Sequence, residues 1–402
     1  MRNISNFLHD SGVQDWSGKI AFDFLPSPDH YIRFGINATY HTYNVGANAF
    51  NKSGTNEDFN IKERETGSSS KIHAFEYSAY VEDDINLTKR LKTNIGLHWS
   101  AFSVENKFYS EFQPRISARY LISPQLSAKA SYSRMGQYVH LLTSAGIGMP
   151  SDLWVPSTER MRPQTSGQVA AGLVQNFREV YEISLEGYYK SMNNVLEYRE
   201  GSGFFDSSSS WEQKVVQGKG RSYGMELFVQ KKRGSFTGWI GYTLSWTDRL
   251  FDEINNGRRF PYKYDRRHDV SIAVTKRFGK RLEMSGAWVF GTGNSVTPPV
   301  GSYLADIIFG VNFRFFDYGE RNNYRMKAYH RLDLSIAYTF FNHEKWGMHQ
   351  LILGAYNAYN RKNPFYIDVE QVWIPDTRAY KYKFVQYSLF PIIPSFSYHF
   401  KF

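Results

Sequence analysis

Residues 394–402, PSFSYHFKF, alternate strictly between polar and aromatic side chains up to the last residue of the chain. The aromatic members of this alternation are Phe396, Tyr398, Phe400 and Phe402. The polar members between them are Ser397, His399 and Lys401. A period of two predicts a β-strand with one apolar face, because successive side chains of a strand point to opposite sides of the sheet. We expect the aromatic face to contact lipid and the polar face to line a lumen.

The same alternation recurs along the whole chain. In YEISLEGYYK, residues 181–190, the apolar Ile183, Leu185 and Tyr189 lie opposite Glu182 and Glu186. A helix would place such apolar residues all around its circumference, so these segments are predicted to be strands. About fifteen strands are predicted, near 17–26, 29–45, 71–88, 91–106, 108–123, 125–142, 162–178, 180–200, 218–232, 235–251, 265–279, 281–298, 328–342, 347–366 and 380–402.

The connections between these strands alternate between short and long. The short ones fall near 26–30, 88–92, 123–125, 177–179, 232–235 and 278–281. The long ones fall near 46–70, 143–161, 202–217, 253–264, 300–327 and 367–379. Tight turns at one end and long loops at the other are typical of an outer-membrane barrel. A soluble sandwich shares the alternation, but it must pack its apolar face on a second sheet.

The composition agrees with a β-protein in a membrane. Aromatic residues, which suit pleated surfaces, make up 17% of the 402 residues, and there is no Cys to form disulfides or thiolates. A membrane-spanning helix needs about 18 consecutive apolar residues, and no apolar run in this sequence is that long. A membrane-spanning strand needs only about 9–11 residues. The formal charge of +10 is spread over polar strand faces, so it does not indicate nucleic-acid binding.

Two features of the sequence predict that it is part of a larger barrel. The first residues, MRNISNFLHDSGVQDWSGK, have no apolar signal-peptide core, and their polarity is typical of the inside of a loop. An odd number of antiparallel strands would leave the first and last strands parallel, whereas bacterial single-chain barrels have even numbers.

Several stretches resemble one family of proteins in their order and their motifs. They are YSRMGQYVHLL (132–142), SDLWVPSTERMRPQTSGQVAAG (151–172), YEISLEGYYKSMNNVLEYREG (181–201), GKGRSYGMELFVQKKRGSFTGWIGYTLSWTDRLF (218–251), FPYKYDRRHDVSIA (260–273), YNAYNRKNPFY (356–366) and SLFPIIPSFSYHFKF (388–402). Together they are similar to TonB-dependent receptors of the Bacteroidetes type.

The resemblance implies an all-β, antiparallel transmembrane barrel in the bacterial outer membrane. Such receptors have about 22 strands around an N-terminal plug, so residues 1–402 would be the C-terminal portion of the barrel domain, without the plug and first strands. The implied function is uptake of a scarce solute: a ferric siderophore, haem, cobalamin or a glycan. The TonB system would act only through the missing plug. The alternatives are a passive porin-like or structural barrel, or a non-functional fragment. An enzyme is not expected.

Aromatic and basic loop residues are the candidate contacts for a solute. The aromatic candidates are Trp154, Phe204, Phe205, Trp211, Tyr303, Phe313, Phe315, Phe316 and Trp373. The basic candidates, in NGRRFPYKYDRRHD, are Arg258, Arg259, Lys263, Arg266 and Arg267. Arg suits bidentate recognition of carboxylate or phosphate, so an anionic solute or lipopolysaccharide phosphates outside the barrel would fit. Packing between loops and ion pairs with Asp265 and Asp269 are the simpler explanations.

The remaining expectations concern assembly, cofactors and partners. The aromatic terminal strand resembles the signal read by the barrel-assembly machinery. His41, His140, His268 and His330 are scattered without metal-ligand spacing, and GTGNSV (291–296) runs from a strand into a loop rather than a helix. No cofactor, metal or catalytic residue is therefore expected. The expected partners are outer-membrane lipid and lipopolysaccharide, a small-molecule or glycan substrate and a surface lipoprotein.

Overall fold

The structure, a computed structural model, describes residues 4–53, 71–143, 152–202, 210–308, 311–343, 347–375 and 379–401. Within these ranges the chain is almost wholly extended. The helical segments among the described residues are two short 3-10 turns, Trp211–Lys214 and Asn255–Gly257. In this part of the chain, no helix has the length and apolar character needed to span a membrane.

Twelve strands precede residue 251. They are β1 (Ile4–Ser27), β2 (His30–Ser53), β3 (Lys71–Asn86), β4 (Leu91–Val104), β5 (Lys107–Leu121), β6 (Leu126–Gln137), β7 (Val139–Leu142), β8 (Leu153–Pro156), β9 (Gln164–Phe177), β10 (Tyr181–Tyr198), β11 (Val215–Lys231) and β12 (Phe236–Leu250). The strands after it are β13 (Phe260–Pro261), β14 (His268–Phe278), β15 (Leu282–Gly291), β16 (Ser295–Val296), β17 (Pro299–Ile308), β18 (Val311–Tyr318), β19 (Tyr324–Arg325), β20 (Tyr329–His343), β21 (Gly347–Tyr356), β22 (Tyr366–Ile374), β23 (Ala379–Tyr387) and β24 (Ile393–Lys401).

One antiparallel sheet holds 16 of these strands. Fifteen follow one path, β1-β2-β3-β4-β5-β6-β9-β10-β11-β12-β14-β15-β20-β21-β24, and β13 pairs with the edge of β12. The other strands pair within the long connections, as β7–β8, β16–β19, β17–β18 and β22–β23. The prediction of about fifteen strands in an all-β antiparallel sheet is confirmed.

The register aligns the alternating residues of neighbouring strands into rows. One apolar row runs through Leu185, Leu227, Tyr242, Val270 and Phe290, each paired with the next across the sheet. Leu185 and Leu227 are exposed, as are large apolar residues on this face of most strands. The opposite face is polar, and there Glu186 pairs with Lys129 at 2.5 Å. A continuous apolar outer face and a charged inner face match a wall between lipid and lumen.

The two ends of the sheet differ as predicted. Short turns at one end join β1 to β2, β3 to β4, β5 to β6, β9 to β10, β11 to β12 and β14 to β15. The opposite end carries the long loops, here called the loop end. At the loop end, residues 105–106 also form a tight connection, between β4 and β5, with Glu105 at a φ of 49°.

Several predicted strand boundaries were wrong. The first strand begins at Ile4, because the polar residues before 17 pair with β2 as far as Ser53, so they do not lie inside a loop. The predicted strands 281–298 and 347–366 end at Gly291 and Tyr356. The predicted strand 380–402 is two strands, β23 in a loop hairpin and β24 in the sheet. Loop hairpins alternate in polarity as wall strands do, so the pattern alone does not separate them.

Candidate functional site at the loop end of the barrel

The β7–β8 hairpin folds against the inner face of the wall at the loop end. It contacts β1, β2 and β10, although β2 and β10 are far apart in the sheet. Its residues Leu142, Leu153 and Val155 are buried together with Tyr43 of β2 and Phe102 of β4. Trp154 lies on the other side of β8 and is 50% exposed. The hairpin therefore narrows the lumen and presents one aromatic side chain away from its packed face.

A clasp of three residues ties this hairpin to the 251–267 loop. The Tyr264 hydroxyl donates a hydrogen bond to Asp152 Oδ2 at 2.6 Å, and Lys263 Nζ lies 3.6 Å from Asp152 Oδ1. Burial lowers the pKa of Lys263, and the neighbouring Asp152 carboxylate opposes that shift. Burial and the hydrogen bond to Asp152 raise the pKa of Tyr264. Asp152 is therefore the common partner of the buried Lys263 and the more exposed Tyr264.

A buried carboxylate, Glu197 at the end of β10, joins two further elements. Arg321 Nη2 lies 2.7 Å from Glu197 Oε1, and Arg249 Nη1 of β12 lies 3.8 Å from Oε2. The Arg249 guanidinium also lies 3.8 Å from the centre of the Tyr262 ring. These contacts hold the 292–328 and 251–267 loops against the ends of β10 and β12.

A second buried carboxylate, Asp265, is shared in the same way. Its Oδ2 accepts from Arg325 at 2.5 Å and lies 3.4 Å from Arg267, while Oδ1 accepts from the Thr247 backbone N–H at 2.7 Å. Because three separate segments meet at each of Asp265 and Glu197, the loop end is a connected unit rather than a set of independent loops.

His140 of β7 is 2% exposed and lies inside this unit. Its Nε2 is 3.0 Å from Ser157 Oγ, and its Nδ1 has no hydrogen-bond partner among the described residues. Burial, together with the positive charge of Arg249, lowers the pKa of His140 to about 4. The imidazole is therefore neutral at ordinary pH.

The structure pairs all four predicted arginines with acidic groups. Asp265 and Asp269, which the sequence suggested as partners of these arginines, pair with Arg267 and Arg266, each at 3.4 Å. Arg259 pairs with Asp248 of β12 at 2.7 Å. Arg258 pairs with Glu320 of the next long loop at 2.8 Å.

The predicted aromatic residues do not converge on one place. Trp211 packs against the buried cluster around the β7–β8 hairpin. Trp373 of β22 is 48% exposed on a separate hairpin. Tyr303 stacks on Phe315 at 5.7 Å within β17–β18, and Phe316 meets Tyr382 edge-on at 6.0 Å. Phe204, Phe205 and Phe402 lie outside the described residues, and the Phe313 side chain is not described.

Sequence reasoning missed Glu197, Arg249, Arg321, Arg325 and Asp152. Glu197 and Arg249 sit at strand ends, and Arg321 and Arg325 come from a loop more than a hundred residues further along the chain than Glu197. A charged residue at an otherwise apolar strand end could have marked Glu197 as a candidate. The strand pattern does not show which distant residue pairs with it.

A polar cavity of about 320 Å³ lies on the inner face of the wall. Its lining includes Glu76, His98, Gln113, Arg115 and Lys190. Gln113 Nε2 donates to Ser100 Oγ at 2.7 Å, and Ser100 Oγ lies 2.8 Å from the hydroxyl of Tyr138, just before β7. The cavity therefore borders the packed hairpin through a chain of hydrogen bonds.

Three of the histidines noted in the sequence lie in the wall and have local partners. His41 faces the lumen, with Nδ1 2.7 Å from Asp15 and Nε2 3.5 Å from Glu76. His268 and His330 lie on the outer face beside the Tyr242 and Tyr359 hydroxyls, at 2.9 and 2.8 Å. Within the described ranges, no three or more His, Asp or Glu side chains are grouped to hold a metal ion.

Three solved structures of bacterial receptors and transporters are similar to this fold. The ferripyoverdine receptor of the outer membrane of Pseudomonas aeruginosa matches with a TM-score of 0.57 at 13% identity, over 98% of this chain and 49% of that one. The ferric-catecholate import receptor Fiu from K12 E. coli matches with 0.61 at 12% identity, over 97% and 54%. The FrpB iron transporter from Neisseria meningitidis matches with 0.58 at 13% identity, over 87% and 51%. This chain therefore spans about half the length of these three proteins.

The wall, the lipid-type outer face and the interlocked loops define an integral β-barrel protein of the bacterial outer membrane. The family model described as "TonB dependent receptor-like, beta-barrel" matches residues 2–360. The chain belongs to this family, whose members are receptors and transporters. No curated protein sequence matches it.

Proposed function

We propose that residues 1–402 form part of the barrel wall, and part of the extracellular entrance, or mouth, of a TonB-driven importer for a scarce solute. The family supports active import, and the resemblance noted above includes ferric siderophores, haem, cobalamin and glycans as solutes. The neighbours named for ferripyoverdine, ferric catecholate and iron favour a metal chelate among these. The chain lines and gates the path without covalent chemistry.

One observation carries this proposal most directly, the β7–β8 hairpin held inside the loop end. A hairpin clasped through Asp152, Lys263 and Tyr264 is preorganised, so binding a solute at the mouth costs little ordering of the loops. Trp154 offers an exposed ring in that mouth, and a rigid aromatic can stack on a planar ligand at low entropic cost.

The test is energy-dependent uptake by cells. A strain lacking the full receptor gene would be complemented with the whole reading frame that encodes this chain, and supplied with ⁵⁵Fe on a panel of siderophores and as haem. We expect accumulation of at least one chelate, and its loss when a protonophore collapses the proton-motive force.

Uptake that survives the protonophore would contradict the proposal and favour the porin-like alternative. Planar-bilayer recording of the purified receptor separates the two further, because a passive channel conducts ions steadily without an energy source. A strain in which no solute accumulates and no conductance appears would support the structural-barrel alternative.

Four finer points belong to the same proposal. The resemblance of the quoted motifs supports all four. They are the Bacteroidetes type, a plug and first strands outside residues 1–402, a surface lipoprotein at the loop end, and the absence of enzymatic activity. Peptide mapping of the protein in its native outer membrane tests the second point, since peptides upstream of Met1 would extend the chain. Co-purification with a lipoprotein tests the third.

A further inference from the structure

A row of stacked aromatic rings crosses the outer face of three neighbouring strands. Tyr189 of β10, Tyr223 of β11 and Trp246 of β12 pair in register, with ring centres 6.5 and 5.4 Å apart. They follow the apolar residues Leu185 and Leu227 of the same face, on the side of the loop end. Tyr and Trp concentrate at the level of lipid headgroups, so this row marks the outer edge of the lipid-facing band.

Arginines lie directly beyond this row. Arg221 and Asp248 are the next residues on the same face of β11 and β12, and they pair at 2.8 Å. The Arg221 guanidinium lies 5.7 Å from the Tyr223 ring centre, and the Arg267 guanidinium lies 4.7 Å from that of Trp246. The rings therefore hold two guanidinium groups at the height where phosphates of the outer leaflet lie.

The carboxylates of this patch are outnumbered. Asp248 accepts from both Arg221 and Arg259, at 2.8 and 2.7 Å. Asp265 Oδ2 lies 2.5 Å from the guanidinium of Arg325 and 3.4 Å from that of Arg267, so its closer ion pair is with Arg325. Four arginines thus share two aspartates, a surplus of two positive charges. The adjoining pairs, Arg258 with Glu320 and Arg266 with Asp269, are balanced.

The arginines that face outward are accessible. The side chains of Arg221, Arg259 and Arg267 are 39%, 40% and 35% exposed, whereas Asp248 is only 18% exposed. An incoming anion therefore meets the guanidinium groups before the carboxylate. A planar guanidinium with several N–H donors matches the oxygens of a phosphate group.

We propose that Arg221, Arg259 and Arg267, above the Tyr189–Tyr223–Trp246 row, form a binding site for the phosphate of an anionic lipid in the outer leaflet. The aromatic row contacts the acyl-chain boundary and the arginines bind the headgroup phosphate. This site is on the outside of the wall and is independent of the solute path. Its ligand is a membrane lipid rather than free phosphate, because the arginines stand on a lipid-facing surface.

The experiment uses the full receptor, purified and delipidated in neutral detergent, with bisphosphorylated lipid A as the probe. Binding is followed by native mass spectrometry. We expect R221Q/R259Q/R267Q to weaken binding by about a hundredfold, since each cation near a lipid surface contributes about 1 kcal/mol to the affinity. K231Q is the matched control, because Lys231 lies over the Tyr181 and Phe236 rings at the opposite end of the same face. It should leave binding unchanged.

The variant D248N gives an independent readout. It removes the competing negative charge while keeping the shape of the side chain, so lipid A should bind about fivefold more tightly. If these ion pairs only stabilised the fold, D248N should not bind lipid A more tightly than the wild type. This readout decides the question if the triple variant does not fold, and unchanged or weaker binding by D248N would then overturn the proposal.

Two ligand controls separate the sources of phosphate. Dephosphorylated lipid A should bind far more weakly than the phosphorylated form, and equal binding would overturn a phosphate site. Inorganic phosphate at millimolar concentration should not displace lipid A. Displacement would show an anion site without lipid selectivity, which would also overturn the proposal.

Discussion

The Tyr264 hydroxyl and the Asp152 carboxylate are 2.6 Å apart in space and 112 positions apart in the chain. This hydrogen bond connects the loop between β12 and β14 with the inward hairpin between β6 and β9. Lys263 joins the same carboxylate from the buried side, at 3.6 Å. One acidic residue therefore joins the hairpin to the loop between β12 and β14.

Asp152→Ala should release the hairpin. Lys263 is 7% exposed and would lose its carboxylate partner, so the local free energy of unfolding should fall by about 3 kcal/mol. Hydrogen exchange of residues 139–143 and 152–156 measures the effect, and both segments should lose protection. Glu283→Ala is the control, since its pair with Arg277 is exposed at a short turn. Unchanged protection in Asp152→Ala would show that apolar packing alone holds the hairpin.

Glu197→Gln should loosen two loops at once. Arg321 and Arg249, with side chains 14% and 11% exposed, would both lose the charge that compensates them. A buried charge without a partner destabilises by about 3 kcal/mol or more, whereas an exposed pair is worth about 1 kcal/mol or less. Limited proteolysis should therefore cut the 251–267 and 292–328 loops faster in Glu197→Gln than in Glu283→Gln. Equal rates for the two variants would refute the role given to Glu197.

His140 should make the loop end sensitive to acid. Its pKa is lowered to about 4 from an ordinary 6.5, so between these values the unfolded state binds a proton that the folded state does not. Stability contributed by this residue is therefore complete above about pH 6.5 and is lost progressively down to about pH 4, by about 3 kcal/mol in all. Melting temperatures of the wild type and His140→Gln measure the difference. The variant should lose less stability between pH 7 and 4, and parallel curves would count against the assignment.

Trp154→Ala should affect solute binding without disturbing the fold. The ring is half exposed and faces away from the buried cluster, so its removal leaves no cavity there. We expect the dissociation constant of the imported chelate to rise by about tenfold, as for loss of an aromatic stacking contact. The melting temperature should stay the same. Trp211→Ala, which removes a packed ring, should show the reverse pattern and lower the melting temperature.

The aromatic face of β24 should be needed for assembly. Phe396 and Tyr398 are exposed at 69% and 53% and continue rows from β21, where Leu353 and Leu351 are their partners. The double variant F396A/Y398A should reduce the heat-modifiable, folded form recovered in outer membranes several-fold. S395A/S397A, on the other face of the same strand, should not. Equal recovery of both variants would remove the assembly role from these aromatics.

The wall could be predicted from the sequence because its rule is local. Alternation at a period of two needs only neighbouring residues, so Ile183, Leu185 and Tyr189 were assigned to the correct face without a structure. Asp265 and Asp269 were expected to pair with the arginines beside them because they are close in the chain. Glu197, Arg321 and Asp152 could not be assigned in this way, because their partners are fixed by loop conformations that the strand pattern does not specify.

The fifteen strands on the main path of the sheet are bonded to one another in chain order, each to the next strand of that path. A wall of this kind has contacts of short sequence separation, so hairpins can be added one after another as folding proceeds. The bonds from Asp152 to Tyr264 and from Glu197 to Arg321, separated by 112 and 124 residues, can form only after several such hairpins are in place. The loop end should thus be the last region to mature, and it narrows the lumen only once the wall beneath it has been built.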